Sequence, residues 1–171
     1  RYQGFQGEAL AQELLRRRYV HGIRFQPREP LKAFFETYPH AASIVLFHLP
    51  ERLRYKARGS SRQWDVRREA FREYQRHLRG LRRATPAMRI EDEILQQRLD
   101  ELKGGRRKSY EDLLDSILCA YISYYYWYWG ASRCVVLGTV EDGYVVLPGD
   151  DDLRRRLDVL SEGLGHQDLS Q

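Results

Sequence analysis

From Trp64 to Arg83 apolar residues recur at helical spacing: Val66, Ala70, Tyr74, Leu78 and Leu81 share one side, and Arg68, Arg72, Arg76, Arg79 and Arg83 share another. This periodicity predicts a long amphipathic helix. "TPAM" interrupts it, and "RIEDEILQQRLDELKGG" (Arg89 to Gly105) predicts a second helix, acidic at its start and glycine-terminated, so that the two form a helical hairpin. A third helix follows at "YEDLLDSILCAYISYYYWYW" and runs to about Gly130. Before these, Leu10, Leu14 and Leu15 mark a helix from Gly7 to Tyr19 that ends near Gly22. After Pro30, "LKAFFETY" alternates as a strand does, with Lys32, Phe34 and Glu36 on one face and Leu31, Ala33 and Phe35 on the other. "HAASIVLFHL" fits either a strand or a helix by periodicity, and Pro39 at a first-turn position favours a short helix. "PERLRYKARGSSRQ" is a polar loop. Arg133 to Pro148 predicts two strands joined by a turn at Glu141 to Gly143, and Asp151 to Leu160 a short charged helix. The expected organisation is one domain over 1–162, a helical insertion at about 62–105, and a flexible tail over 163–171.

Composition narrows the class. The 171 residues are 42% hydrophobic and 31% charged, which suits a folded domain with a real core and excludes a disordered chain. The longest uncharged run, Ser116 to Ser132, is shorter than the roughly 20 apolar residues of a membrane span. It reads as a core helix, and no membrane partner is expected. The chain opens on Arg1 without Met, so the natural protein is expected to start earlier. Two cysteines, Cys119 and Cys134, show neither zinc spacing nor a disulfide framework, which fits a reducing cytoplasm. The net charge is +5, and only four of the 29 basic residues are lysine (Lys32, Lys56, Lys103, Lys108). An arginine surplus suits phosphate partners, because the guanidinium forks onto phosphate oxygens; an arginine-rich genome would give the same composition.

The third helix raises a chemical question. Asp112, Asp115, Cys119, Ile122 and Tyr126 lie along one narrow strip, with Leu114, Ile117, Leu118, Tyr121, Tyr125 and Tyr128 roughly opposite. Ser109 three residues before Asp112 resembles a capping box, so Asp112 has a structural reading. Asp115 lies too deep for a cap, and a carboxylate there needs a cation. That cation is a metal or an arginine, and the residues leave both open. Glu36 closes the predicted strand just before "TYPHA", the end at which open sheets place ligands. Three hard oxygen ligands, Glu36, Asp112 and Asp115, would suit Mg2+ or Mn2+. His40 reads as an ordinary helix-start residue.

Four blocks in order carry a resemblance: "ETYPHAA" (Glu36 to Ala42), "LPERLRYKARG" (Leu49 to Gly59), "YEDLLDSILCAYISYYY" (Tyr110 to Tyr126) and "VVLGTVEDGYVVLP" (Val135 to Pro148). Together they resemble the C-terminal two thirds of the domain of unknown function 429 family, prokaryotic proteins predicted to be nucleases with a ribonuclease H-like fold. The resemblance implies an α/β, ribonuclease H-like fold with Glu36 as the strand glutamate and Asp115 as the final helix aspartate. Asp112 stands where resolvase-like members of that superfamily often carry His or Asp. Arg54, Tyr55 and Lys56 match a basic "YK" segment, for which phosphate contact is the expectation. The chain departs from the pattern in one respect: nothing before Leu31 reads as the N-terminal strand hairpin that carries the leading catalytic aspartate. Either that ligand precedes Arg1 or it has been lost.

The leading expectation is a metal-dependent nuclease that cleaves nucleic acid phosphodiesters by a two-metal mechanism through Glu36, Asp112 and Asp115. Arg54 and Lys56, with Arg72 and Arg76 of the arginine stripe, are the candidate phosphate-binding residues. Two other classes stay open: a non-catalytic module that holds nucleic acid on the arginine-rich helix, and a structural or interaction domain using the aromatic run "YISYYYWYW". A solvated helix face is the favoured account of the stripe itself, with Glu69 and Glu73 offsetting part of its charge.

Overall fold

The structure, a computed structural model, describes residues 6–56, 64–139 and 142–165. The chain is mixed α/β, mostly helical with two small sheets. It divides into two compact units, one formed by residues 1–37 and 126–171 and the other by residues 38–125.

In the first unit, α1 (Gln6–Arg16) leads into β1 (Val20–His21), which pairs in parallel with β2 (Ala33–Phe34). The strand expected over Leu31 to Tyr38 is thus much shorter than its alternation suggested. Its partner β1 ends after two residues, where Gly22 closes the ladder by donating to the Phe34 carbonyl (3.2 Å). Beyond that point the segment turns to another neighbour: Val146 N–H donates to the Glu36 carbonyl (2.8 Å), and the Thr37 hydroxyl donates to the Val146 carbonyl (2.7 Å). Val146 belongs to β4 (Gly143–Pro148), which forms the expected antiparallel hairpin with β3 (Cys134–Thr139). Of the expected turn, Glu141 lies outside the described residues. Tyr126 anchors the preceding loop, meeting Phe25 and Phe35 edge-on at 5.1 and 5.2 Å while its hydroxyl donates to the Ile23 carbonyl. The charged helix α6 runs Asp151–Gly165, longer than its sequence pattern indicated. The expected tail beyond 165 lies outside the described residues.

The second unit is helical. α2 (Pro39–Phe47) begins with Pro at its first turn, as the fixed φ of proline favours. α3 (Trp64–Gly80) continues into a 3₁₀ turn, Leu81–Arg83, and buries Ala70, Phe71, Tyr74, Gln75 and Leu78. Val66, expected on the same face, is instead exposed. The long helix α5 (Gly105–Trp129) buries Leu114, Leu118, Tyr121 and Ile122, and the unit boundary falls within it after Tyr125.

The helix expected over Arg89 to Gly105 does not form. Only α4 (Asp92–Leu95) and a 3₁₀ turn, Leu99–Glu101, are helical there, so α3 has no full-length hairpin partner. Side-chain donors explain the difference. The Tyr110 hydroxyl takes the Ile94 carbonyl, Arg79 the Leu95 carbonyl, Gln75 the Gln97 carbonyl and Arg107 the Leu102 carbonyl. Carbonyls that a helix would satisfy internally are satisfied from α3 and α5, while Leu95, Leu99 and Leu102 still reach the core. No helix among the described residues is long and apolar enough to cross a membrane.

The β3–β4 hairpin depends on one close approach. Gly138 has φ +94°, and a Cβ there would stand 2.2 Å from the Gly143 carbonyl oxygen, whereas a Cβ at Gly143 (φ +97°) would meet nothing. Gly138→Ala should therefore cost about 2–4 kcal/mol through strain plus overlap, and Gly143→Ala about 1–2 kcal/mol through strain alone. Denaturant midpoints of the two variants check this order, and equal tolerance would contradict the close approach of Gly138 to the Gly143 carbonyl.

Candidate functional site

Asp115 is the only aspartate among the described residues to be buried, and it lies on α5 in the second unit. Its partners come from three segments. The Tyr55 hydroxyl donates to Oδ1, with the Tyr74 hydroxyl 3.4 Å from the same oxygen, and Lys56 Nζ pairs with Oδ2. The cation that the buried carboxylate requires is therefore a lysine. Arg67, a candidate for that role by charge, goes elsewhere: its Nη2 pairs with Glu111 and its Nε donates to the Tyr55 carbonyl (2.6 Å). Two adjacent ion pairs thus fix the Tyr55–Lys56 segment against α3 and α5.

Asp112 is not a helix cap. α5 begins four residues before Ser109, so the Ser109–Asp112 spacing falls inside the helix. Lys108, one turn earlier, donates to Asp112 Oδ2 (2.9 Å), and Asp112 Oδ1 lies 3.7 Å from Lys56 Nζ. Both carboxylates consequently have the same arrangement. One oxygen is held by a neighbouring donor, and the other faces the Lys56 ammonium.

Burial sets the protonation of this cluster. It raises the hydroxyl pKa of Tyr55, with Tyr74 and Asp115 adding to the effect, and it raises that of Tyr74, with Asp115 again adding. Both tyrosines therefore remain donors to Asp115. Burial alone would lower the Lys56 pKa, but the hydrogen bond and charge of Asp115, with Asp112 and Glu111, leave it raised. The hydrogen bond from Lys108 holds Asp112 below its ordinary range. His40, near the start of α2, has Nδ1 3.4 Å from the Tyr55 hydroxyl; burial lowers its pKa against the pull of Asp115. Its ring is neutral at pH 7.

The other expected site residues are distributed differently. Glu36 is exposed in the first unit, where its carbonyl is engaged by Val146. Arg54 pairs with Glu51 (3.1 Å) at the surface. Arg72 and Arg76 both lie near Glu69, at 3.7 and 3.6 Å, which offsets the stripe they belong to. Tyr74 and His40 complete the Asp115 surroundings without having been marked by any chemical motif. Tyr74 was visible only as a member of the apolar face of α3, and a hydroxyl on such a face is a signal that a polar partner waits inside.

Among the described residues no group of three or more His, Cys, Asp or Glu is arranged to hold a metal ion. The Asp112 and Asp115 oxygens are nonetheless hard donors that already face one cation, so their chemistry fits a divalent ion at the position Lys56 occupies.

Removing Lys56 leaves a buried carboxylate with tyrosine donors only, and removing the charge of Asp115 leaves Lys56 able to reach water, since 34% of its side chain is exposed. Lys56→Met should cost about 2 kcal/mol and Asp115→Asn about 2–3 kcal/mol, with a coupling of about 1–2 kcal/mol in the double variant. Because the Lys56 pKa is raised on folding, its share of this stability is present below the ordinary lysine pKa of about 10.4 and is lost as pH rises through the folded value. Denaturation of the four proteins at pH 7 and pH 11 measures both effects; additive losses that ignore pH would refute the coupling.

No curated protein and no solved structure matches the chain. Residues 6–139 match the model of a protein of unknown function (DUF429). The chain belongs to the DUF429 family.

Proposed function

We propose that the chain is a metal-dependent nuclease, ribonuclease H-like in fold and cytoplasmic, which hydrolyses nucleic acid phosphodiester bonds with Asp112 and Asp115 as ligands for Mg2+ or Mn2+. The observation that carries this reading is the shared cation position: each aspartate has one oxygen fixed by its own donor and presents the other to Lys56 Nζ. Such pre-orientation is what a hard divalent ion asks of its carboxylates. When bound, ions of this kind activate water and stabilise the leaving oxygen of a phosphodiester.

The residues of the chain have separate parts in this scheme. Tyr55 and Tyr74 stop the Asp115 carboxylate from rotating, and Lys108 does the same for Asp112. Lys56 neutralises the pair in the metal-free protein; its flexible stem and partial exposure let it move aside and offer its charge to a phosphate. The resemblance of the Arg54–Lys56 segment to the family's basic "YK" stretch supports that second part.

A specific observation favours a second reading. Tyr55, Tyr74 and Lys56 together supply both Asp115 oxygens, which is what a purely structural ion pair requires. Calorimetric titration with Mn2+ separates the two. The nuclease reading expects binding by the wild type, equal or tighter binding by Lys56→Met, and none by Asp115→Ala, with Mn2+-dependent cleavage of DNA or RNA lost in Asp115→Asn. Absence of Mn2+ binding in both wild type and Lys56→Met would sink it and leave the structural anchor.

A further inference from the structure

The arginines of the second unit fall into two groups. Along α3, Arg68 pairs with Asp65 and lies 3.7 Å from Asp100, and Arg72 and Arg76 lie near Glu69. Past the end of α3 the balance changes. A cavity of about 370 Å³ is lined by Arg79, Arg82, Arg83, Arg89, Ile90 and Asp92. Arg79 is fixed there, with Nε 3.5 Å from Asp92 Oδ1 and a hydrogen bond of 3.1 Å to the Leu95 carbonyl. Arg82, Arg83 and Arg89 have no carboxylate partner among the described residues. Four guanidiniums therefore face one aspartate.

The backbone builds this concentration of charge. The Leu81 carbonyl accepts from both Ala84 N–H (3.1 Å) and Met88 N–H (3.0 Å), which folds the 84–88 loop back on the 3₁₀ turn and returns Arg89 to Arg82 and Arg83. The Tyr121 hydroxyl donates to the Pro86 carbonyl (3.0 Å), tying the loop to α5. Like charges held together by a braced loop raise the free energy of the empty site, and an anion lowers it.

We infer that this cavity is a binding site for phosphate groups, separate from the Asp115 cluster. Guanidinium forks match phosphate oxygens in pairs, and the volume accommodates one or two phosphates. Among the described residues Ile90 is the only apolar side chain in the lining, and no aromatic ring lines it to stack a base. The site therefore reads the phosphate and not the nucleobase. The phosphates are supplied either by a nucleic acid backbone or by a free phosphorylated anion.

The test uses the wild type, Arg83→Gln/Arg89→Gln, Arg82→Gln, and Arg72→Gln/Arg76→Gln as the compensated-stripe control, all in EDTA so that no divalent ion contributes. Thermal shift with inorganic pyrophosphate and anisotropy of a labelled single-stranded oligonucleotide are the readouts, and circular dichroism verifies folding. Pyrophosphate should raise the melting temperature of the wild type and of the stripe control. The double variant should bind about tenfold more weakly, Arg82→Gln should be intermediate, and any oligonucleotide binding should lose about two from its salt slope in the double variant. Oligonucleotide binding displaced by pyrophosphate identifies a nucleic acid backbone as the source, and pyrophosphate binding without oligonucleotide binding identifies a free phosphorylated anion; either outcome supports the site. Failure of both probes, unchanged binding by the Arg83/Arg89 and Arg82 variants, or an equal loss in the stripe control would overturn it.

Discussion

The second unit is organised around the cost of one buried charge. A carboxylate withdrawn from water carries a penalty of several kcal/mol unless donors and a cation replace its hydration. Asp115 obtains them from Tyr55, Lys56 and Tyr74, so the chain around 55 must lie against both α3 and α5. Arg67 and Glu111 repeat the arrangement beside it, with Arg67 also holding the Tyr55 backbone. Apolar packing of Phe71, Leu78, Leu114 and Leu118 would tolerate several registers between the helices; this polar network is satisfied in few.

The same network determines how the carboxylates can act. A metal ligand needs an oxygen directed at the ion and a second shell that keeps it there. In the proposed metal site Tyr55 and Lys108 would supply the second condition through chemically different donors, and Lys56 takes the position to which the first would point. A structural ion pair has no need of Asp112, which is half exposed and already satisfied by Lys108. Its approach to Lys56 adds to the stabilisation of the ammonium and brings a second carboxylate oxygen to the same cation.

Periodicity made the long elements legible. α3 and α5 and the β3–β4 hairpin occupy nearly the spans their patterns predict, and each of the two helices buries a regular face. The 89–105 segment was not legible for a reason that lies outside it: donors on Gln75, Arg79, Arg107 and Tyr110 take its carbonyls, and no property of its own residues announces them. Ser109 misled in the same way, since the capping-box spacing is also the spacing of two residues inside a helix, and only the true start at Gly105 distinguishes them. The need of Asp115 for a cation could be read from the apolar run around it. That Lys56 would answer it could not, because fifty-nine positions separate the partners and the choice between Lys56 and the many arginines is made by packing.

Charge at the arginine helix shows where sequence does carry more than a count. Glu69 precedes Arg72 by three residues and Asp65 precedes Arg68 by three, so helical geometry alone brings these pairs together and neutralises the stripe. Arg82 and Arg83 have no acid three or four residues away in either direction. An arginine without a local acid must be paid for by solvent, a distant carboxylate or an external anion. Among the described residues the second option is not taken, since Asp92, the one carboxylate lining the cavity, is already turned toward Arg79. Counting arginines directs attention to the middle of α3, where they are most regular, whereas asking which of them lack a partner at helical spacing directs it to the turn beyond.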